Sequence, residues 1–206
     1  RDVAPSRGLG DVYKRQVVYM TLCHNGNNDI CGSARYNEGN LGVSDFGEQV
    51  IHEMNRVGML VDLSHAGEQS FYDALDISRQ PVVCSHSSSR ALCDHPRNLT
   101  DEQLKAIARK GGVVQLCLYG GFLRTDRPAT LDDAIEHLHH IVNLIGVDHV
   151  GIGTDFDGDG GIIGCNDSSE LINFTRKLLY ERYSEEDIQL IWGGNFLRVM
   201  QQAQKI

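Results

Sequence analysis

The sequence predicts an α/β fold of the (β/α)8 TIM-barrel type, N-terminally truncated, with about five parallel strands present. Three observations predict it. Short apolar runs alternate with helical stretches. A histidine or an acid follows each of four of these runs: residues 17–22 lead to His24, 59–63 to His65, 82–84 to His86, and Val150–Gly153 to Asp155, Asp157 and Asp159. These polar groups are spread over four strand ends, whereas an open doubly wound sheet gathers its ligand groups at one crevice. The count of five also fits such an open sheet without truncation, and that alternative stands beside the barrel.

Taken in order, residues 1–16 mix Pro5, Gly8, Gly10 and four basic residues with no helical or strand period, and read as a non-native or disordered segment. Residues 17–206 read as one partial barrel domain. After the first strand, residues 25–42 form a long polar loop rich in Asn and Gly, the kind that is functional or mobile. Ser44 N-caps a helix whose apolar positions are Phe46, Val50, Ile51, Met54 and Val57, and Gly58 closes it. Residues 59–63 are a strand, 68–77 a helix, and Pro81 precedes the strand 82–84. Thr100 with Gln103 is a capping box, and Gly111 and Gly112 end that helix. Residues 113–118 form the next strand. Thr130 caps a helix over 131–145 with Ala134, Leu138, Ile141, Val142 and Ile145 inward, and Val150–Gly153 is the last strand. Helices are expected over 169–181, 184–192 and 195–203. The all-helical ending places any missing strands at the front.

With 41% hydrophobic and 23% charged residues in 206, the chain is long enough for a real core and is globular. A formal charge of −9 and the lack of any Lys/Arg run argue against nucleic-acid partners. No apolar stretch reaches the ~20 residues of a membrane helix. The six cysteines form no CxxC pair and read as mostly free, with Cys84 and Cys117 in strands.

Among residues that carry chemistry, His65 and His86 are the best metal-ligand pair, each just past a strand, because neutral imidazole suits zinc. Two hydrogen-bonded loop histidines are an equal reading. Asp155 is the best general acid/base, at a strand end where a proton can pass between water and leaving group. Its plainer reading is a turn former beside Gly158 and Gly160. Asp155-x-Asp157-x-Asp159-Gly160 matches the start of a calcium loop, but Asn166 stands at the twelfth position and a strand precedes it. Arg97 suits two-point recognition of a carboxylate, although a lone loop arginine is more often solvated. His24 suits an oxyanion or a structural role. His137, His139 and His140 read as surface histidines. Gly151-x-Gly153 is not a dinucleotide fingerprint, and no GxSxG occurs.

The motifs Val61-Asp-Leu-Ser-His65, Cys84-Ser-His-Ser-Ser88, Asp94-His-Pro-Arg-Asn-Leu-Thr100, Gly151-Ile-Gly-Thr-Asp-Phe-Asp-Gly158 and Tyr19-Met-Thr-Leu-Cys-His24 resemble the membrane dipeptidase (renal dipeptidase) family of zinc metallopeptidases, in its bacterial form. The resemblance runs from about Val17 to the C-terminus. It implies a (β/α)8 barrel with a binuclear zinc site that hydrolyses dipeptides. It assigns His65 and His86 to zinc, His24 to the scissile carbonyl and its oxyanion, Arg97 to the substrate carboxylate and Asp155 to acid/base work. The family's His-x-Asp pair and bridging Glu have no counterpart here, so the chain resembles the C-terminal two-thirds of such an enzyme. A dipeptide substrate, a homo-oligomer and a bacterial cytoplasmic or cell-envelope location are the expected setting. Another amidohydrolase-type metal hydrolase and a non-catalytic incomplete chain stand as alternatives.

Overall fold

The computed structural model describes residues 17–204, and the reading of 1–16 as non-native or disordered lies outside them. The described chain forms two compact units, residues 17–82 with 198–204, and residues 83–197.

The first unit holds strand β1 (Tyr19–Thr21), helix α1 (Asp45–Val57), strand β2 (Leu60–Asp62) and helix α2 (Glu68–Ile77). β1 and β2 pair in parallel, Tyr19 opposite Leu60 and Thr21 opposite Asp62. Ser44 accepts from the Gly47 amide to cap α1, and Gly58 ends the helix in the left-handed region at φ 74°. The buried face of α1 is Gly47, Ile51, Met54 and Asn55, and Phe46, though apolar, is 55% exposed. A side chain at position 47 would meet Val43 and the Ile30 carbonyl. The helix therefore presents its smallest residue where the chain comes closest, and Phe46 is turned out.

The long loop after β1 is pinned by its own polar groups. Asn28 Nδ2 donates to the Leu22 carbonyl, Asn27 Oδ1 accepts from the Ser33 amide, and Asn37 Oδ1 accepts from the Leu41 amide. α2 holds the loop from outside: Ser70 Oγ donates to the Gly32 carbonyl, and Asp73 Oδ2 accepts from the Val43 amide. The Asn-rich composition thus satisfies backbone groups that no ladder reaches.

The second unit holds β3 (Val83–Cys84), α3 (Asp101–Arg109), β4 (Val113–Cys117), a short helix α4 (Gly120–Leu123), α5 (Leu131–Ile145), β5 (Val150–Gly153), α6 (Leu171–Tyr180) and α7 (Glu185–Gln189). β3 pairs in parallel with β4, and β4 with β5. Val113, Val114, Leu116, Cys117 and Val150 are fully buried, as expected of parallel strands covered on both faces. Leu104, Ile107, Leu138, Ile141 and Phe174 complete this core. The capping box at Thr100 forms, and at Thr130 the Asp133 carboxylate accepts from the Thr130 amide and hydroxyl. α5 buries Ala134, Leu138 and Ile141 as expected, while Val142 and Ile145 are half-buried. α7 stops at Gln189 instead of reaching Trp192, because the chain loosens into a wider turn over Leu190–Gly194, where Gly193 leaves the helical region. The last helix, α8 (Asn195–Gln204), begins with Asn195 Nδ2 donating to the carbonyls of Val147 and Val150. α4 and the single 3-10 turn Val147–His149 are elements the sequence reading lacks.

The fold is α/β with parallel strands, and among the described residues five are present, fewer than the eight of a closed barrel. Among the described residues none of the six cysteines forms a disulfide and all are buried, with Cys84 in β3 and Cys117 in β4.

Candidate active site

In the first unit, His24 and His65 come together, their ring centroids 4.4 Å apart and tilted by 32°. His24 is exposed, and His65 is 7% exposed. His65 sits in the left-handed region, φ 71°, which costs a residue with a Cβ about 1 kcal/mol. Bonds to its carbonyl hold it there, from the Ala34 amide at 2.7 Å and the Cys23 thiol at 3.6 Å. Its Nδ1 lies 3.2 Å from Asn25 Oδ1, within hydrogen-bond distance. Asn25 was not anticipated, and its only sequence signal is that it follows His24.

The second unit gathers His86, Arg97 and Asp155. Gly153, the last residue of β5, has no room for a Cβ, because the Ser85 carbonyl occupies that place. This close approach sets the loop that carries His86 against the strand that leads to Asp155. His86 Nδ1 is bonded to Ser85 Oγ at 2.7 Å. Arg97 is 3% exposed, so it is no solvated loop arginine. Its Nη2 donates to the His86 carbonyl at 3.3 Å, and its guanidinium carbon lies 5.3 Å from the centre of the Phe122 ring.

Asp155 also takes a left-handed conformation, φ 57°, and its carbonyl accepts from the amides of Gly158 and Gly160. A Cβ at Gly158 would stand 2.5 Å from Asp155 Oδ1, so that glycine leaves space for the carboxylate. The turn-forming reading of Asp155 and the functional one are therefore compatible: the turn is what aims the side chain. Burial raises the Asp155 carboxyl above the usual range, and Asp157 adds to this, while His86, Arg97 and the Cys117 thiol oppose it. The Cys117 sulfur is 3.8 Å from Asp155 Oδ2, and burial pushes that thiol up to about 12, so it faces the carboxylate as a neutral donor.

The three helix histidines need correction. His137 is 1% exposed: its Nδ1 accepts from the Ser89 amide, and its Nε2 donates to the Leu123 carbonyl. His139 and His140 are half-buried, the first stacked on Tyr183 and the second bonded to Asp101.

The family of this chain is settled by comparison. The membrane dipeptidase family (peptidase family M19) matches residues 6–206. The chain belongs to that family. An uncharacterized dipeptidase of Schizosaccharomyces pombe is 40% identical, with 96% of this chain and 49% of the relative covered. The probable dipeptidase PvdM of Pseudomonas aeruginosa superposes with a TM-score of 0.91 at 28% identity, over 96% of this chain and 65% of that one. A metallo peptidase of Rhodobacter sphaeroides, solved with a phosphinate mimic of the dipeptide L-Ala-D-Ala, superposes at 0.76 with 31% identity, over 84% of this chain and 49% of that one. The chain thus spans about half the length of that yeast relative.

Membership in a metallopeptidase family raises the question of whether these residues fit a metal. Both predicted histidine ligands have Nδ1 within hydrogen-bond distance of a neighbouring side-chain oxygen, which leaves Nε2 as the ring nitrogen without that contact. Yet among the described residues no group of three or more His, Cys, Asp or Glu comes together to hold an ion. A catalytic zinc takes three protein ligands and a water, so the described donors do not make a complete site.

Proposed function

We propose that the protein of which this chain is part is a zinc-dependent dipeptidase, acting on the peptide bond of a dipeptide with a free C-terminal carboxylate. The observation that carries the reading is the grouping of Arg97, His86 and Asp155 in one unit, with Arg97 enclosed and Asp155 held in a strained turn. Family membership and the dipeptide mimic bound by the Rhodobacter sphaeroides relative support it. On this reading Arg97 pairs with the substrate carboxylate through the planar fork that guanidinium offers. Asp155, whose raised pKa keeps it closer to neutral pH than an ordinary aspartate, delivers the proton that the departing amine needs. His24 donates toward the oxygen of the scissile carbonyl as negative charge develops there. His65 and His86 would each offer an imidazole nitrogen to zinc, which would activate the attacking water.

The test is a substrate panel with elemental analysis. The full-length protein should hydrolyse simple dipeptides and leave C-terminally amidated and cyclic analogues largely intact. Preference for the cyclic amides would instead mark an amidohydrolase of another kind. Because the described donors do not complete a metal site, the 206-residue chain alone should bind fewer than two zinc ions and turn over poorly. Two zincs per chain with full activity would overturn the ligand assignment.

A further inference from the structure

Recognition of a carboxylate by Arg97 depends on where its guanidinium plane is held, and the structure shows what holds it. Phe122 is 8% exposed and lies in α4. Three rings meet at that position. The Phe122 ring lies 4.6 Å from the His95 ring and 4.8 Å from the Tyr119 ring, and the Arg97 guanidinium carbon stands 5.3 Å from its centre. The backbone is fixed as well. Asn98, 1% exposed, donates through Nδ2 to the Phe122 carbonyl at 2.7 Å and to the Cys93 carbonyl at 2.9 Å. One amide thus ties the loop that carries Arg97 to the helix that carries Phe122. The Arg97 amide in turn donates to His95 Nδ1 at 3.1 Å.

An arginine has several rotatable bonds, and a substrate carboxylate must find the guanidinium in one orientation to accept two parallel bonds. Here the guanidinium carbon stands over the Phe122 ring, and the His86 carbonyl takes one of the guanidinium N–H groups. We propose that Phe122 is a positioning residue for carboxylate recognition: its ring face orients Arg97 and so sets the preference for substrates with a free C-terminal carboxylate. The inference rests on the assignment of Arg97 to that carboxylate and adds a residue to it. α4 thereby acquires a purpose, as the short helix that delivers this ring beside the loop.

The experiment uses the full-length, metal-loaded protein and two substrates, a dipeptide and its C-terminal amide. In the first variant Phe122 is replaced by pentafluorophenylalanine, which keeps the ring's shape but reverses its electrostatic face. In the second, Phe122→Leu, the ring is removed. Both should raise KM for the dipeptide by about threefold to thirtyfold, the range a cation–π contact of an enclosed arginine is worth, and leave kcat within about twofold. KM for the amide should not move, and Phe122→Tyr should behave as the unmodified protein. An unchanged KM for the dipeptide in the fluorinated protein would overturn the proposal, as would an equal rise for both substrates. Arg97→Met separates the two levels. If it leaves the preference for the dipeptide over the amide intact, the Arg97 assignment falls and the Phe122 inference with it. If it abolishes that preference while both Phe122 variants keep it, only the Phe122 inference falls. A natural protein that hydrolyses neither substrate overturns both.

Discussion

Asp155 carries two local demands at once. Its backbone must adopt a left-handed turn, and its carboxyl must be sufficiently desolvated to keep a proton longer than usual. Glycines at 158 and 160 make the turn, and the first of them leaves space at the carboxylate. Asp155→Asn keeps the shape and removes the titrating group. In the full-length protein it should lower kcat by about 10²–10⁴-fold, the usual worth of a positioned acid or base. Zinc content should be unchanged, since Asp155 is not among the proposed ligands. Near-normal turnover in that variant, measured alongside elemental analysis, would remove Asp155 from the reaction. Arg97 makes the complementary point. Read as a residue type in a loop, it is more often a solvated cation, and only its burial against Phe122 and the His86 carbonyl distinguishes it.

At the scale of elements, helix ends are local and strand contacts are not. Thr100 accepts from the Gln103 amide, and the Gln103 side chain accepts from the Thr100 amide, a reciprocal arrangement spanning four residues. Thr100→Ala should lower stability by about 1 kcal/mol with little effect on activity, which denaturant unfolding can check. Gly153 is the opposite case. Its lack of a Cβ admits a carbonyl from Ser85, 68 positions away in sequence, and nothing in the local pattern announces this. Gly153→Ala forces β5 and the His86 loop apart, and should cost about 1–3 kcal/mol, as overpacking does. Unlike the capping variant, it should also impair catalysis, because the strain falls between two proposed site residues. Equal thermal stability of Gly153→Ala and the unmodified chain would show that the loop yields without penalty.

At the scale of the whole molecule, the buried His137 couples stability to pH. Burial lowers its pKa to about 4, with the nearby His140 contributing in the same direction and the Leu123 hydrogen bond and Asp133 opposing it. Asp133 itself is buried and, against that burial, is held well below the usual carboxylate range by Arg127 and Arg124. The unfolded chain therefore binds a proton at His137 that the folded chain refuses between about pH 6.5 and 4. Stability from this group is complete above pH 6.5, falls as pH drops through that window, and levels off below it. The loss should be on the order of 3 kcal/mol, read as the slope of unfolding free energy against pH. His137→Gln should be less stable at pH 7 but flatter across the window. An undiminished slope would assign the effect to other groups.

The sequence by itself determined what depends on neighbours along the chain: the alternation of strands and helices, the caps at Ser44, Thr100 and Thr130, and the strand-end positions of His24, His65, His86 and Asp155. These follow from backbone periodicity and from hydrogen bonds within one turn, and the structure reproduces them. Only the tertiary structure decided which histidines are buried, that Phe46 faces solvent, that Asn25 is bonded to His65, and that Phe122 lies beside Arg97. The reason is physical. Each of these depends on contacts between groups far apart in sequence, such as Ser89 and His137, and burial is a property of what packs over a residue, not of the residue. The short helix α4 was illegible for the same reason. Gly120 and Gly121 argue against a helix on propensity, and its packing overrides them.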